Sequence, residues 1–567
     1  MTITQLIRQN PIRAVGTAHP DSARPTPPSR LRADAGRVGD IVGALGTIRQ
    51  GAARPRGYRR LLALLAILGP GLIVMVGDND AGGVSTYAQA GQNYGVGLLW
   101  TLVLLIPVLI VNQEMAARLG AVTGVGHGRL IIERFGKFWG AFSVGDLFLL
   151  NFLTIVTEFI AIHQVAAYFG INPTLAVLAA TVGLVAMTVT GSFRRWERFM
   201  YVFIAFNFAA IPLALLSHPN PAVVAGGFVP QLPGGITSDL LLLIVGVVGT
   251  TVAPWQLFFQ QSNVIDKRIT PNWLAYERLD TIIGSVVVIV GAAALMVAAA
   301  FAFGGTPEAG RFLDAGTTAS QLAHHLGPGV GAIFAIVLLN AAMIGAAAVT
   351  LSTSYAFGDV VKSRHSLHWS LGEAKLFYLI FSGVVVVAAG IVLIPNAPLG
   401  LVTLGVQALA GVLLPSACVF LLLLANDRAV LGPWVNRGWL NAIASVIIGV
   451  LVMLSAILGA VTLFPGVDVI RLTLVLAGVL VLSLAAIALY RMRDRASGRR
   501  AHIPEIEEVE EIDRLTWQMP PLEELPRPVW SLTRKVGVLA LRAYLVLAMV
   551  LVLGKVIQLA LTGTGHA

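Results

Sequence analysis

Long runs of apolar residues recur along most of the chain, and short polar segments separate them. A helix needs about 20 mostly apolar residues to cross a bilayer. Twelve stretches meet this requirement and predict transmembrane helices, near 61–90, 96–117, 139–168, 173–191, 199–217, 238–263, 279–304, 328–353, 374–395, 399–425, 439–463 and 470–490. A further apolar stretch at about 536–561 contains Arg542 and Lys555. We interpret it either as a thirteenth span whose charged ends reach the interface or as an interfacial helix.

The basic residues between these stretches alternate in position. Loops after odd-numbered spans hold few of them, with Arg311 and Arg471 as the exceptions. The basic residues of the even-numbered loops are Arg118, Arg129, Arg134, Lys137, Arg194, Arg195, Arg198, Lys267, Arg268, Lys362, Arg364, Lys375, Arg428 and Arg437. Because Lys and Arg accumulate in cytoplasmic loops, the alternation places the N-terminus and the segment after Tyr490 in the cytoplasm.

Four segments follow from this pattern. Residues 1–59 are predicted to be a basic, disordered cytoplasmic arm, and residues 60–492 a transmembrane domain. Residues 493–532 form a charged cytoplasmic linker, and residues 533–567 a C-terminal hydrophobic helix.

The composition supports a membrane protein and excludes several other classes. Of 567 residues, 56% are hydrophobic and 12% are charged, whereas soluble domains carry about 25% charged residues. Cys418 is the single cysteine, which excludes an intrachain disulfide and a thiolate metal cluster. The net charge of +10 is explained by the basic loops, and the basic arm lacks interleaved aromatic residues, so we expect no nucleic-acid partner. Without a phosphate-binding loop or a hydrolase motif, neither an ATP-driven pump nor an enzyme is expected.

Two of the predicted helices are interrupted by polar or helix-breaking residues. The first contains the segment 77–83 (Gly-Asp-Asn-Asp-Ala-Gly-Gly), which places Asp78, Asn79 and Asp80 within the membrane. The sixth contains Pro254, which removes a backbone donor and breaks a helix. Interrupted helices at corresponding places in two halves of a chain indicate a transporter binding site. Carboxylates together with unwound carbonyls favour a hard, oxygen-rich cation site.

Several short stretches, taken in order, resemble one known family. They are Leu68-Gly69-Pro70-Gly71, Asp80-Ala81-Gly82-Gly83, Gln89-Ala90-Gly91, Ala116-Ala117-Arg118-Leu119-Gly120 with Val122-Thr123-Gly124, Phe193-Arg194-Arg195-Trp196-Glu197, Gln407 ahead of Pro415, and Asn426-Asp427-Arg428. At these spacings the chain resembles the Nramp family of divalent-metal transporters over roughly 60–465, and in particular its magnesium-transporting branch. The resemblance implies an all-α membrane protein with a LeuT-like fold. Such a fold has two inverted five-helix repeats plus additional helices, which here gives about twelve transmembrane helices.

The resemblance also implies site residues at matching positions. Asp80 occupies the place of the family's metal-binding aspartate, Gly77 and Thr250 fall where backbone carbonyls face the ion, and Gln407 falls where a glutamine of the tenth span can approach it. The predicted metal-site residues are Asp80, Asp78, Asn79, Gly77, Thr250, Ala253 and Gln407. The predicted gating or pathway residues are Gly83, Pro254, Trp255 and Glu158.

Departures from the family pattern decide which ion we expect. Ala253 replaces the family's metal-ligating methionine, and Gly83 replaces an asparagine. Because a thioether favours Mn, Fe and softer metals, its loss favours an ion that binds oxygen and water, such as hydrated Mg²⁺. Trp255 and Gln260 stand where the family has histidines, which leaves Asp78 and Glu158 as candidate proton carriers and favours uncoupled transport.

The predicted function is therefore secondary transport of a divalent cation by alternating access, with Mg²⁺ and also Mn²⁺ as substrates. The alternatives are a proton-coupled Mn²⁺/Fe²⁺ transporter of the Nramp type and a LeuT-fold carrier of an organic solute, while carrier and channel kinetics stay open. No cofactor is expected apart from the transported ion. The expected partners are the metal ion and the lipid bilayer, with the oligomeric state left open, and the expected location is a bacterial inner membrane.

Overall fold

A computed structural model describes residues 39–394, 399–464, 466–496, 514–515 and 517–526, together with positions 539, 543 and 546. The described chain begins with an antiparallel hairpin, β1 (Ile41–Val42) and β2 (Thr47–Ile48). The helices that follow are α1 (Arg59–Ile67), α2 (Pro70–Val76), α3 (Ala81–Tyr94), α4 (Leu99–Thr123), α5 (His127–Phe135), α6 (Lys137–Tyr168), α7 (Pro173–Thr188), α8 (Phe193–Asn207), α9 (Ala210–Leu216), α10 (Pro221–Gly226), α11 (Ser238–Thr251), α12 (Pro254–Asp266), α13 (Leu274–Phe303), α14 (Ala315–Leu326), α15 (Pro328–Val361), α16 (Lys375–Val392), α17 (Leu399–Ala425), α18 (Arg428–Leu431), α19 (Gly438–Leu463) and α20 (Val469–Ala496). Short 3-10 turns lie at Pro271–Trp273, Gly432–Trp434 and Leu522–Glu524.

Each of the twelve predicted spans coincides with helical structure. Within the described residues, ten helices are long and apolar enough to cross a membrane, and the bent pair α1–α2 brings the number to eleven. The remaining predicted stretch is α7, which has 16 residues and a length of about 24 Å. The helices of the folded chain are thus long and apolar enough to agree with the membrane spans predicted from the sequence.

The first predicted span, 61–90, consists of three helices rather than one. α1 and α2 meet at a bend of 50°, which is placed at Gly69, where φ is 150° and an L side chain would be strained. Pro70 then occupies the first turn of α2, where its missing N–H costs nothing. The unit that corresponds to the predicted broken span is therefore α2 plus α3, and α1 precedes it.

The two interrupted helices lie at the centre of the bundle. α2 and α3 pack against α13, while α11 packs against α17 and α12 against α4. All seven residues of α2 and all thirteen of α12 are buried. By contrast, the membrane-spanning part of α20 buries none of its residues within the protein, as expected for a peripheral helix that faces lipid. The core therefore surrounds the two breaks.

The end of the predicted disordered arm is ordered. Ile41 and Ile48 of the hairpin are buried, the Ala44 N–H donates to the Glu197 carboxylate, and Arg194 Nε donates to the Gly43 carbonyl at 3.1 Å. Because the hairpin buries apolar side chains and finds partners for its backbone, it folds onto the bundle. Residues 1–38 of the arm lie outside the described residues.

Part of the predicted linker 493–532 also packs on the bundle. The Arg514 guanidinium stacks on the Trp434 ring at 4.0 Å, Trp434 Nε1 donates to the Arg514 carbonyl at 2.7 Å, and Arg134 donates to the Pro526 carbonyl at 2.6 Å. Apart from positions 539, 543 and 546, the predicted helix 533–567 lies outside the described residues.

The hairpin and this C-terminal segment cover the same end of the bundle, which we name the basic face. It is formed by residues 120–129, 265–270 and 359–369, and it carries several of the Lys and Arg residues of the even-numbered loops. A cavity of about 560 Å³ separates these loops from the hairpin and from residues 518–523. The basic face is the side predicted to be cytoplasmic.

Candidate metal-binding site

The second half of the first broken helix begins at an N-cap carboxylate. Asp80 has extended backbone angles (φ −73°, ψ −178°), and its Oδ1 accepts the Gly83 N–H at 2.7 Å. Asp is a favoured N-cap residue because its short side chain accepts a hydrogen bond that the first helical turn leaves unsatisfied. Asp80 therefore fixes the point at which α3 starts.

The unwound segment before Asp80 exposes backbone oxygens to the interior. The N–H groups of Asp78 and Asn79 close the last turn of α2 by donating to the carbonyls of Met75 and Val76, at 3.1 Å each. Among the hydrogen bonds of the described residues, none is accepted by the backbone carbonyls of residues 77–79. Such carbonyls are suitable ligands for a hard cation.

The second broken helix has its break at Val252 and Ala253. Both residues have non-helical backbone angles, and Pro254 is the first residue of α12. Since proline has no N–H, it cannot donate to the Thr250 carbonyl four residues earlier, which ends α11. The predicted break is present at the predicted residue, and it frees another backbone oxygen.

The two breaks lie side by side. A Cβ added to Gly83 would lie 3.3 Å from Thr250 Oγ1, and one added to Gly77 would lie 3.3 Å from the Trp255 ring. The Tyr87 hydroxyl and Thr251 Oγ1 form a hydrogen bond of 2.8 Å between α3 and α11. Residues that are about 170 positions apart in the chain thus line one central region.

Gln407 of α17 closes this region from a third direction. A Cβ added to Gly82 would overlap the Gln407 side-chain amide, and one added to Gly249 would lie 2.8 Å from the Gln407 carbonyl. Glycines at both positions therefore allow α17 to approach the two broken helices closely. Gln407 therefore lies against both broken helices, and its role as a metal-site residue stays a prediction.

Glu158 of α6 approaches the site from a fourth direction. Its Oε2 accepts the Ala81 N–H at 3.0 Å, so it satisfies a donor at the start of α3. A Cβ added to Gly345 of α15 would lie 2.7 Å from Asp80 Cβ and 2.8 Å from Glu158 Oε2. Asp80 and Glu158 therefore flank the same glycine.

The three carboxylates in this region are buried without a basic partner. Asp78 and Glu158 are 0% exposed and Asp80 is 3% exposed. No ion pair between described residues involves any of the three. Both carboxylate oxygens of Asp78 and Oε1 of Glu158 lack a hydrogen-bond partner, as does Thr250 Oγ1. Since an unpaired buried charge is unfavourable, the arrangement calls for a positive ion or for protons.

The side chains alone do not form a resident metal cluster. Within the part of the chain that the structure describes, no three His, Cys, Asp or Glu side chains are grouped so that they could hold a metal ion. A cation between the breaks would therefore meet two aspartates, backbone carbonyls and hydroxyl or amide groups. This donor set is one of oxygen atoms, which suits hard divalent cations.

Two predicted site residues point partly elsewhere. The Asn79 side chain donates from Nδ2 to the Val288 carbonyl of α13 at 3.1 Å, while its Oδ1 has no partner. Trp255 is buried, and its carbonyl accepts the Ser352 hydroxyl at 3.1 Å, which ties the start of α12 to α15. Asn79 thus contributes to the packing of the break against α13, and the Trp255 ring lies next to Gly77.

Polar residues next to the site were not singled out from the sequence. Gln256 follows Trp255 directly, and its Oε1 accepts Nε2 of Gln113 from α4 at 3.0 Å. Gln256 Nε2 reaches the Thr251 carbonyl at 3.5 Å. The signal available in the sequence was the presence of two glutamines within otherwise apolar spans.

Charged groups fix the first half-helix at the basic face. The Asp280 carboxylate accepts the N–H groups of Gly69, Gly71 and Leu72 at 2.8–3.1 Å. Lys267 Nζ donates to the Leu68 carbonyl at 2.6 Å. Asp280 of α13 thus accepts the free N–H groups at the N-terminus of α2. The position of α2 therefore depends on its contacts with Asp280 and Lys267.

Lys267 also forms a fully buried ion pair with Glu197. Its Nζ lies 2.5 Å from Glu197 Oε1, and both side chains are 0% exposed. The Glu197 carboxylate thus has two partners. It accepts the N–H of Ala44 in the hairpin, and it pairs with the Lys267 ammonium that binds the carbonyl just before α2. No sequence pattern indicated this pair, because its members are 70 residues apart.

Comparison with known proteins agrees with this architecture. The family model described as natural resistance-associated macrophage protein-like, Nramp, matches residues 71–461. The divalent metal cation transporter MntH 1 of Pseudomonas aeruginosa is 29% identical over 426 residues, covering 71% of this chain and 93% of the relative. The divalent metal cation transporter MntH of Bacillus subtilis is 27% identical over 421 residues, covering 71% of this chain and 93% of the relative.

Solved structures show the same fold. A crystal structure of the Eremococcus coleocola manganese transporter superposes with a TM-score of 0.58 at 21% identity, covering 78% of this chain and 97% of that one. This likeness confirms the LeuT-like arrangement implied by the sequence resemblance. Members of the matched family carry metal ions as substrates, need no cofactor for it and are not enzymes. The chain belongs to the Nramp family and is a multi-pass membrane protein that transports metal ions.

Proposed function

We propose that this protein is a secondary transporter that binds a hydrated divalent cation between its two broken helices and releases it by alternating access. The observation that carries the proposal is the pair Asp78 and Asp80, buried beside free backbone carbonyls and without a Lys or Arg partner among the described residues. A divalent cation would neutralise both carboxylates and satisfy the carbonyls together. Broken helices that meet near mid-membrane are the usual place for such a site.

The proposed substrates are Mg²⁺ and Mn²⁺. Ala253 lies at the break of the second helix, where it provides a methyl group and no sulfur. Met75 carries the thioether nearest the first break in sequence. Its Sδ accepts a hydrogen bond from the Ser285 hydroxyl of α13 at 3.8 Å. Mg²⁺ loses water reluctantly, so a site with carboxylates, carbonyls and nearby amides suits an ion that keeps part of its hydration shell.

A second candidate is proton-coupled transport of Mn²⁺ or Fe²⁺. Two observations favour it. The similar proteins of P. aeruginosa and B. subtilis are divalent metal cation transporters, and the structural neighbour is a manganese transporter. Glu158, with one unpartnered oxygen beside Asp80, is a group that could take up a proton when the cation leaves.

The proposed orientation places the basic face, and with it the N-terminus, in the cytoplasm of a bacterial cell whose inner membrane holds the protein. The support is the positive-inside rule applied to the loops that form the basic face. The bacterial relatives agree with this location.

The decisive experiment is transport by the full-length protein in liposomes. Mg²⁺ and Mn²⁺ uptake would be followed with internal fluorescent reporters and an internal pH dye, using Asp80→Asn and Asp80→Ala as site variants. Asp239→Asn is the matched control, because it makes the same chemical change at an exposed position. We expect both ions to enter, pH to stay constant and both Asp80 variants to be inactive. Entry of Mn²⁺ alone with acidification would establish the second candidate instead, and entry of neither ion into vesicles with folded protein would reject both.

A further inference from the structure

A further buried carboxylate lies between the central site and the basic face. Asp146 of α6 lines a small cavity between α6, α12 and α17, together with Ser143, Ser416, Pro254 and Phe258. The cavity has a volume of about 10 Å³, which is roughly the room that one water molecule needs. This place is distinct from the region between the two breaks.

Asp146 has no partner within the described protein. Its side chain is 4% exposed, and both of its carboxylate oxygens lack a hydrogen bond. It takes part in none of the ion pairs between described residues. Because a buried polar group without a partner is unfavourable, such a group inside a membrane protein indicates a function.

Two serine hydroxyls are the other polar side-chain groups that line the cavity, and the remaining lining residues are apolar. The Ser416 hydroxyl donates to the Leu413 carbonyl of its own helix at 2.8 Å, which leaves lone pairs on Oγ for a cation. Ser143 adds a second hydroxyl on the helix that carries Asp146. One carboxylate and two hydroxyls are hard oxygen donors, which suit a hard divalent cation better than a soft one.

The cavity adjoins the central site. Pro254, which lines it, is the first residue of α12 after the break at Ala253. On α6, Asp146 lies twelve residues before Glu158, which corresponds to about 18 Å along the helix axis. Since α6 starts at the basic face and runs towards Glu158, Asp146 lies on the side of the central site that faces the loops of the basic face.

We propose that Asp146, with Ser143 and Ser416, is a second binding station that the transported divalent cation occupies between the central site and the basic face. The proposal rests on the function proposed above. The ion leaves Asp78 and Asp80 and then binds the single carboxylate of Asp146, which holds it more weakly and so permits its release. Loss of this carboxylate would leave the central site intact and remove a step of the path.

The test compares binding with transport in the full-length protein. Asp146→Asn removes the charge and keeps the shape, while Asp239→Asn makes the same change at an exposed position and serves as control. Mn²⁺ affinity would be measured by calorimetry in detergent, and the initial rate of Mn²⁺ and Mg²⁺ uptake in liposomes. We expect Asp146→Asn to keep the wild-type Mn²⁺ affinity while its maximal uptake rate falls by about 10- to 100-fold, and we expect the control to match wild type in both.

Ser416→Ala provides an independent variant that removes one oxygen and no charge. It should slow uptake to a smaller extent than Asp146→Asn, with unchanged affinity, and it decides the question if Asp146→Asn does not fold. The station is rejected if wild type transports and these variants transport equally fast, or if Asp146→Asn loses Mn²⁺ affinity in proportion to its rate. If wild type itself moves neither ion, the proposed function fails and the station fails with it.

Discussion

Glu158 accepts the backbone N–H of Ala81 at 3.0 Å, so an acidic side chain of α6 caps the second half of the broken first helix. The same carboxylate shares Gly345 as a neighbour with Asp80. Glu158 would respond to the charge of a bound ion, and it is hydrogen-bonded directly to the first residue of α3, the helix that begins at the site.

Variants of Glu158 should separate its charge from its hydrogen bond. Glu158→Gln can still accept the Ala81 N–H through its amide oxygen, so the melting temperature should stay close to wild type while Mn²⁺ uptake falls. Glu158→Ala leaves that buried N–H unpaired and should destabilise the protein by about 1–3 kcal/mol. Thermal unfolding in detergent and uptake in liposomes measure the two effects. Equal loss of stability in both variants would show that the hydrogen bond is not what Glu158 contributes.

Ala253→Met should move the selectivity towards softer ions. A thioether at the break adds a ligand that Mn²⁺ and Cd²⁺ accept and Mg²⁺ does not. We expect the ratio of Mn²⁺ to Mg²⁺ uptake to rise roughly tenfold, which corresponds to about 1.4 kcal/mol of differential binding. Competition between the two ions in liposomes measures this ratio. Ala253→Leu is the control of similar size, and a similar rise in that variant would exclude sulfur as the cause.

Gly82→Ala should interfere with the contact between α3 and α17. The added Cβ would overlap the Gln407 amide, and overpacking of this kind costs about 1–3 kcal/mol. Uptake should fall, and adding Gln407→Ala should restore part of the stability by removing the overlap. Gly183→Ala in α7 is the matched control, because a Cβ there meets no atom within 4 Å. Thermal unfolding of these three variants and of wild type decides the prediction, which fails if Gly82→Ala behaves like Gly183→Ala.

Lys267→Met should be among the most destabilising single changes at the basic face. It leaves the Glu197 carboxylate buried at 0% exposure without its cation, which costs about 3–5 kcal/mol for buried pairs. The double variant Glu197→Gln/Lys267→Met removes both charges and should recover much of that loss. A double variant less stable than Lys267→Met would show that the pair is not the source of the effect. The measurement is thermal unfolding in detergent.

The sequence sufficed for the apolar stretches and for the places of both breaks, although it did not separate α1 from the first broken span. Membrane helices require long apolar runs because lipid cannot satisfy backbone groups. Pro254 and the glycines around Asp80 indicate interruptions of two of these helices. The family resemblance added Gln407, which does lie against Gly82. These features are local in the chain or tied to a motif, so they can be read without coordinates.

Other features depend on contacts between distant residues and could not be read in this way. The Glu197–Lys267 pair and the three backbone contacts of Asp280 join segments 70 and more residues apart. Asn79 turns towards Val288 because an unwound segment imposes no helical periodicity on its side chains. The hairpin at 39–50 was hidden in an arm whose composition is polar and rich in arginine, since only a few apolar residues anchor it.

The hairpin is linked to the first half-helix through a series of polar contacts. Its Ala44 N–H reaches Glu197, which pairs with Lys267, which in turn holds the Leu68 carbonyl ahead of α2. A movement of α2 away from the bundle would therefore either break these contacts or move the hairpin together with α2. The rate of such a movement would then depend on any molecule that binds residues 39–50, including a fusion partner or an antibody fragment.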